Sequence, residues 1–139
     1  MNLRAYIDGS STGNPGDAGY GIVLETEKGK ILKEIGRYIG RATNNVAEYS
    51  GFLACLEMVQ QYGACSLIVY SDSQLLVYQM KGIYRVKKPH LAELHAKAID
   101  KIEKGQIDLD IRFIPREKNR RADGLARRAV LLRSEILAS

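Results

Sequence analysis

Four acidic residues lie in four separated segments of the chain, each where a predicted strand ends or a predicted helix begins. They are Asp8 in YIDGSSTGNPG, Glu48 in TNNVAEY, Asp72 in VYSDSQL and Asp123 in NRRADGLA. A fold that gathers them must neutralise them, because like charges a few Å apart cannot all stay ionised. Hard divalent cations such as Mg²⁺ or Mn²⁺ prefer oxygen ligands of this kind. A carboxylate cluster that holds two such ions is suited to in-line hydrolysis of a phosphodiester.

Size and composition predict one globular domain over residues 1–139. The chain has 139 residues, of which 45% are hydrophobic, so it can bury one core and has no room for a second. No apolar run approaches the ~18 residues of a membrane span, and no secretory signal opens the chain. We therefore expect a cytoplasmic monomer without membrane contact. Cys55 and Cys65 lack metal-ligand spacing, so they are expected to be core residues or bystanders.

The charge of the chain is positive and unevenly distributed. The net charge is +5, from 21 basic and 16 acidic residues. Arginines crowd the C-terminal part, and residues 81–88 form a second basic stretch with no acid in it. Such a field favours a polyanionic partner, of which nucleic acid is the commonest, over the alternative of an ordinary solvated surface.

Apolar periodicity and turn residues predict the order β-β-β-α-β-α-α-β-α. An α/β fold follows, in which one mixed five-stranded sheet carries helices on both faces. The first three strands form an antiparallel meander, and the strand at residues 108–114 alternates as an edge strand does. The predicted strands are Leu3–Asp8, Tyr20–Thr26, Ile31–Ile39, Ser66–Ser71 and Asp108–Ile114. The predicted helices run from Thr43–Asn45 to Tyr62, from Ser73 to Met80, from Pro89 to Lys104, and from Ala122 with Leu125, Ala129 and Leu132 inward.

Each acid also has a purely structural explanation. Asp8 and Asp72 meet at one sheet edge if the first and fourth strands are parallel neighbours, but Asp8 also suits a turn and Asp72 a helix N-cap. Glu48 follows Asn45 by three positions, as in a capping box. Asp123 in a first helical turn is favoured by the helix dipole. The joint occurrence of the four acids favours the metal site.

The segments DGS…GNPG, TNNVAEY, SDSQL and N-x-x-A-D-x-L-A, in this order and at these separations, resemble type 1 ribonuclease H from Asp8 to about Arg128. The resemblance implies the ribonuclease-H-like fold, in a single catalytic domain without a separate hybrid-binding domain. It implies endonucleolytic cleavage of the RNA strand of RNA–DNA hybrids, leaving 5′-phosphate and 3′-hydroxyl ends. Asp8, Glu48, Asp72 and Asp123 would be the catalytic metal ligands for two Mg²⁺ or Mn²⁺ ions, with Asp8 bridging them. Double-stranded RNA stays open as a secondary substrate.

The resemblance also assigns residues to substrate binding. Asn44, Asn45 and Gln74 would contact the minor groove of the hybrid, where amides offer both donors and acceptors. The segment Gly13-Asn14-Pro15-Gly16 would bring backbone close to the RNA strand. Arg41 and Thr43 would bind a phosphate of the DNA strand. An ordinary turn and helix capping are the structural alternatives for the GNPG segment and for Asn44–Asn45.

Two features depart from the family pattern. Many relatives carry a loop histidine ten positions before the last aspartate, and this chain has Phe113 there. The following loop reads P-R-E-x-N, typical of a subset of the family. In it Arg116 would approach the scissile phosphate or the leaving group, and Glu117 would assist metal or product exchange. Asn119 is the third auxiliary residue of this loop. A solvated surface loop is the alternative.

The second departure is the segment Lys81–Lys88, which is too short for the basic helix of some relatives. We therefore expect looser binding with a steep salt dependence, carried by Lys87, Lys88 and the C-terminal arginines. A non-catalytic nucleic-acid-binding module and a domain cut from a reverse transcriptase are the competing hypotheses. The full set of acids argues against the first, and the self-contained length argues against the second.

Overall fold

The computed structural model of the chain describes residues 1–63 and 66–138, so Cys65 lies outside the described residues. The described residues form six strands, four α-helices and a short 3₁₀ turn at Arg116–Lys118. The strands are β1 (Asn2–Ser11), β2 (Gly16–Thr26), β3 (Ile31–Ala42), β4 (Ser66–Ser71), β5 (Asp108–Phe113) and β6 (Ile136–Ala138). The helices are α1 (Asn44–Gln61), α2 (Gln74–Met80), α3 (Pro89–Lys104) and α4 (Arg120–Leu132).

The strands form one mixed sheet in the order β5-β4-β1-β2-β3-β6. The predicted meander of β1, β2 and β3 is confirmed, and β5 lies at the predicted edge. The parallel pairing of β1 with β4, on which the meeting of Asp8 and Asp72 depends, is also confirmed. The centre of the sheet therefore presents two parallel strand ends to one side, as open α/β sheets do where they bind ligands.

Helices cover both faces of the sheet. Gly51 of α1 lies against the Tyr20 side chain, whereas the neighbouring Gly21 lies against the backbone of α4. Because successive residues of a strand point to opposite faces, α1 and α4 lie on opposite sides of β2. Cys55 is fully buried in the core between α1 and the sheet, as expected. None of the described helices is both long and apolar enough to cross a membrane.

Several predicted boundaries were wrong. The sheet has a sixth strand, β6, which pairs with β3 over three residues and is too short to give a pattern in the sequence. Strand β1 does not end at Asp8 but continues to Ser11, because residues 9–11 keep pairing with β2, which begins at Gly16. Helix α4 begins at Arg120 rather than Ala122. Leu132 was predicted to point inward but is 57% exposed, because it is the last residue of α4 and lies beyond the face that Leu125, Ala126 and Val130 bury.

Glycines on β2 and β3 allow α4 to lie directly on the sheet. A Cβ atom at Gly21 would overlap the carbonyl oxygen of Ala122, and one at Gly36 would overlap that of Leu125. Gly21 is also the strand partner of Asp8. The absence of a side chain at residue 21 therefore brings the first turn of α4, with Asp123, close to Asp8.

We predict that Gly36→Ala lowers the free energy of unfolding by about 1–3 kcal/mol, as overpacking of a tight contact does. The matched control is Gly124→Ala within α4, where an added Cβ meets nothing within 4 Å. That change should be neutral or stabilising by up to about 1 kcal/mol, because alanine favours the helix. Urea unfolding of the metal-free proteins measures both, and equal midpoints for the two variants would contradict the close packing of α4.

Candidate active site

Three of the four acids converge at the edge where β1 and β4 emerge. The parallel register pairs Ile7 with Ser71, so the next residues, Asp8 and Asp72, stand side by side. Glu48 of α1 reaches the same point, and one carboxylate oxygen from each acid lies within 4.8 Å of the others. Asp8 and Glu48 are 5% and 9% exposed, so the repulsion between them is little screened by water.

Glu48 is held in place by the backbone of β1. The Gly9 N–H donates a hydrogen bond of 2.9 Å to Glu48 Oε1. A Cβ atom at Gly9 would lie 2.5 Å from the Glu48 nitrogen, so α1 approaches β1 only because residue 9 is glycine. The capping-box alternative is wrong, because Thr43 caps α1 by accepting a 3.2 Å bond from the Val46 N–H. The Glu48 carboxylate is therefore free to face the other acids.

Asp72 likewise does not cap the helix that follows it. Ser73 is the N-cap of α2, and its hydroxyl accepts a 3.2 Å bond from the Leu76 N–H. Asp72 Oδ1 instead faces Asn119, whose Nδ2 lies 3.4 Å away. The helix-cap explanation offered for Asp72 is therefore wrong, and its carboxylate belongs to the cluster.

Asn119 is the residue whose role the sequence least revealed. It was predicted to be an auxiliary residue on a charged loop, but it is 1% exposed. Its Nδ2 donates a 2.8 Å bond to the carbonyl of Ile7, next to Asp8, as well as facing Asp72. The backbone carbonyl of Asn119 accepts a 3.1 Å bond from the Asp123 N–H. Asn119 thus connects the backbone segments that carry three of the acids.

Asp123, the fourth acid, stands beside the cluster rather than within it. It lies in the first turn of α4, where the sequence placed it. On one side it is close enough to hydrogen-bond with Asp8, which raises the pKa of Asp8. On the other side its Oδ1 accepts a 3.0 Å bond from Arg127 Nε, a contact that the sequence analysis did not anticipate although the i,i+4 spacing allows it.

Burial and mutual repulsion perturb the acids at the centre. Burial raises the pKa of Asp8 most, and the charges of Glu48 and Asp72 raise it further. Burial also raises the pKa of Glu48, partly offset by the hydrogen bond from Gly9. Glu48 Oε2 is buried and has no hydrogen-bond partner among the residues described. An all-oxygen donor set with an unpartnered buried carboxylate oxygen fits a hard divalent cation.

The residues assigned to substrate binding lie at the N-termini of α1 and α2, at the end of β3 and in the turn between β1 and β2. Asn44 begins α1, and its N–H donates a 3.1 Å bond to Asn14 Oδ1, which ties the GNPG turn to the helix. Gly16 is buried against Gly13. A Cβ atom at residue 16 would lie only 2.5 Å from the Gly13 nitrogen. Arg41 is exposed near the end of β3, Thr43 is the α1 N-cap, and Gln74 is exposed at the start of α2.

Residues of the predicted site line two clefts. Asn45 lines the first, together with Gln79 and the basic residues Arg85, Lys87 and Lys88. Arg116 and Glu117 are exposed on the 3₁₀ turn and line the second, together with Asp123 and Arg127. Phe113, which stands where many relatives have a histidine, is 39% exposed at the end of β5.

The raised pKa of Asp8 predicts how stability depends on pH. Above pH ~4 the unfolded chain loses the proton of Asp8, whereas the folded metal-free protein retains it. The free energy of unfolding therefore falls as pH rises from about 4 towards the raised pKa. Asp8→Asn removes this titration, so the variant should show a flatter profile and a higher Tm than the wild type at pH 8 in EDTA. Thermal unfolding from pH 5 to 9 measures this, with the exposed Asp108→Asn as control; a wild-type slope in Asp8→Asn would contradict the assignment.

Known proteins with similar sequences and structures identify the family. The family described as reverse transcriptase-like matches residues 6–129. LC11-RNase H1, solved in complex with an RNA/DNA hybrid, is 42% identical with a TM-score of 0.92, over 95% of this chain and 99% of that chain. RNase H1 from the halophilic archaeon Halobacterium salinarum is 38% identical with a TM-score of 0.89, over 96% of this chain and 100% of that chain.

Curated relatives are longer than this chain. A bifunctional protein of Mycobacterium tuberculosis is 43% identical over 94% of this chain, which spans 36% of that relative. Ribonuclease HI of Halobacterium salinarum is 41% identical over 92% of this chain, which spans 64% of it. The structural likeness confirms the predicted ribonuclease-H-like fold. The chain belongs to the reverse transcriptase-like family and, within it, to the relatives of ribonuclease H1.

Proposed function

We propose that this protein is an endoribonuclease that hydrolyses the RNA strand of RNA–DNA hybrids and leaves 5′-phosphate and 3′-hydroxyl ends. The observation that carries the proposal is the convergence of Asp8, Glu48 and Asp72, with Asp123 beside them. It is supported by the likeness to an RNase H1 that was crystallised with such a hybrid. A non-catalytic binding module is disfavoured, because buried acids without a cation would only cost stability.

The four acids would hold two Mg²⁺ or Mn²⁺ ions when substrate is bound. Such a pair of ions supplies activation of the attacking water and stabilisation of the leaving oxygen. We assign Asp8 as the ligand that both ions would share, because it is the central acid of the four. The charges of Glu48 and Asp72 and a hydrogen-bonding interaction with Asp123 all raise the pKa of its carboxyl. Gly9 and Asn119 position the ligands by holding Glu48 and Asp72.

Hybrid recognition is assigned to the residues around the N-termini of α1 and α2. Asn44, Asn45 and Gln74 offer amides to base edges and 2′-hydroxyls in the minor groove. The turn at Gly13–Gly16, tied to α1 through Asn14, would bring its backbone to the RNA strand. Arg41 and Thr43 would bind a DNA-strand phosphate, for which a guanidinium and a hydroxyl are suitable donors.

The loop after β5 is assigned an auxiliary role in place of the histidine. We place the chain in the subset with the P-R-E-x-N loop, in which exposed Arg116 approaches the scissile phosphate or the leaving group. Glu117 beside it would assist the exchange of metal or product. Both residues share a cleft with Asp123, which supports this assignment. Asn119 acts from within the fold as a positioning residue.

The decisive experiment is cleavage of a hybrid labelled on either strand. We expect cutting of the RNA strand alone, dependent on Mg²⁺ or Mn²⁺ and abolished by EDTA. Asp72→Asn should lower kcat by more than about 100-fold, since loss of a residue that only supports a metal ligand already costs about 10- to 100-fold.

The matched control is Asp100→Asn, which removes an exposed acid on α3 and should leave cleavage unchanged. Full activity in Asp72→Asn would refute the metal site, and cutting of the DNA strand would refute the substrate assignment. The same RNA paired with complementary RNA shows in parallel whether double-stranded RNA is a secondary substrate.

The groove contacts have a separate test. Asn44→Ala combined with Asn45→Ala should weaken binding of the hybrid, because each good polar contact to a base is worth about 1–3 kcal/mol. Kd is measured by fluorescence anisotropy in the Asp72→Asn background, which prevents cleavage. Helix α1 should persist in this variant because the Thr43 cap is retained, and circular dichroism checks this. Unchanged hybrid affinity would show that these amides do not contact the substrate.

A further inference from the structure

Asp123, the fourth acid, forms an ion pair with Arg127 of the same helix. Arg127 Nε donates to Asp123 Oδ1 at 3.0 Å across one turn of α4. The Arg127 side chain is 61% exposed and that of Asp123 is 20% exposed, so the pair is open to ions from solution. The carboxylate that completes the proposed metal site is therefore paired while no metal is bound.

The other three acids differ in this respect. Across residues 1–63 and 66–138, no lysine or arginine forms an ion pair with Asp8, Glu48 or Asp72. An ion that binds to those three displaces protons or water. An ion that also uses Asp123 must compete with the guanidinium of Arg127. Exposed i,i+4 pairs are weak, so a divalent cation with twice the charge can win this competition.

Once displaced, Arg127 remains at a groove suited to a polyanion. It lines a groove of about 650 Å³ that begins at Gly9 and Ser10 of β1 and includes Arg116 and Asn44. Arg116 forms no ion pair with any carboxylate in the described part of the chain. A guanidinium matches the geometry of a phosphate. Three arginines line the groove, and Arg133 among them is paired with Asp17. Arg116 and a displaced Arg127 are therefore the two guanidiniums left to favour a phosphodiester backbone.

We propose that Arg127 is a displaceable counter-ion. It pairs with Asp123 in the metal-free protein, weakens binding of the ion that uses Asp123, and binds a phosphate of the RNA strand once that ion has displaced it. Only the phosphate step rests on the proposed function. The competition between Arg127 and the metal ion is a property of the protein alone.

The competition is measured by Mn²⁺ titration calorimetry at fixed pH without nucleic acid. Of the two Mn²⁺ ions, the one that binds more weakly should bind about two- to fivefold more tightly to Arg127→Gln than to the wild type. The reason is that the guanidinium that pairs with Asp123 is gone. Arg128→Gln is the control, since Arg128 is the exposed neighbour with the same charge and no carboxylate partner among the described residues. Arg127→Lys, which keeps the i,i+4 pair, should restore the wild-type isotherm.

The phosphate step is measured by steady-state cleavage at saturating Mn²⁺. Arg127→Gln should raise KM for the hybrid and lower the slope of log KM against log salt by about one, as loss of one phosphate contact does. Arg128→Gln removes a charge that does not line the groove, so it should change the slope less than Arg127→Gln does.

The outcomes separate the two ideas. Identical Mn²⁺ isotherms for Arg127→Gln and Arg128→Gln would overturn the counter-ion role. Different isotherms with identical salt slopes would support the competition and overturn the phosphate step. A wild-type protein that binds Mn²⁺ but leaves the hybrid intact would refute the proposed function and the phosphate step, while a difference between the isotherms would still support the competition.

Discussion

Repulsion between the clustered carboxylates must be overcome by the strand pairing and helix packing that hold them together. Oxygens of Asp8, Glu48 and Asp72 lie within 4.8 Å of one another, with Asp8 and Glu48 buried and Asp72 half-buried. Adjacent parallel strands hold two of these acids, and a glycine lets a helix bring the third. No single contact would withstand the repulsion, but backbone pairing on several elements does. Protons or cations then complete the cluster.

The sequence predicted the parts of the site that depend on local chemistry. The end of β4, the Thr43 cap and the first turn of α4 all leave a signal within a few residues. The capping alternative for Glu48 was wrong because the N-cap of α1 is Thr43, two positions before Asn45. Asn119 was missed for a different reason. Its main partner, Ile7, is 112 positions away in the chain, and no local pattern can report such a contact.

The structure also divides the positive charges into two groups. Arg112, Arg121, Arg127 and Arg133 each pair with a carboxylate, although the sequence suggested that the C-terminal arginines would carry the salt dependence. In the described residues, none of the cations in Lys81–Lys88 forms an ion pair, and three of them line the cleft beside Asn45. Unpaired charges attract a polyanion most strongly, so that cleft is a source of long-range attraction. Arg116, Arg120 and Arg128, which form no ion pair among the described residues, add to it.

The sheet register indicates how far the first and last strands place an attached label or surface from the acids. Asn2 pairs with Ser66 at the opposite end of the parallel strands from Asp8, about 20 Å away along β1. Ile136 instead lies in one lateral row with Asp8, through Gly21 and Gly36, at about 14 Å. Ala138, at the end of β6, lies in the row of Glu34, Val23 and Tyr6, so β6 runs away from the row of Asp8. A bead or fluorophore attached before β1 would therefore stand only somewhat farther from the acids than one attached after Ala138.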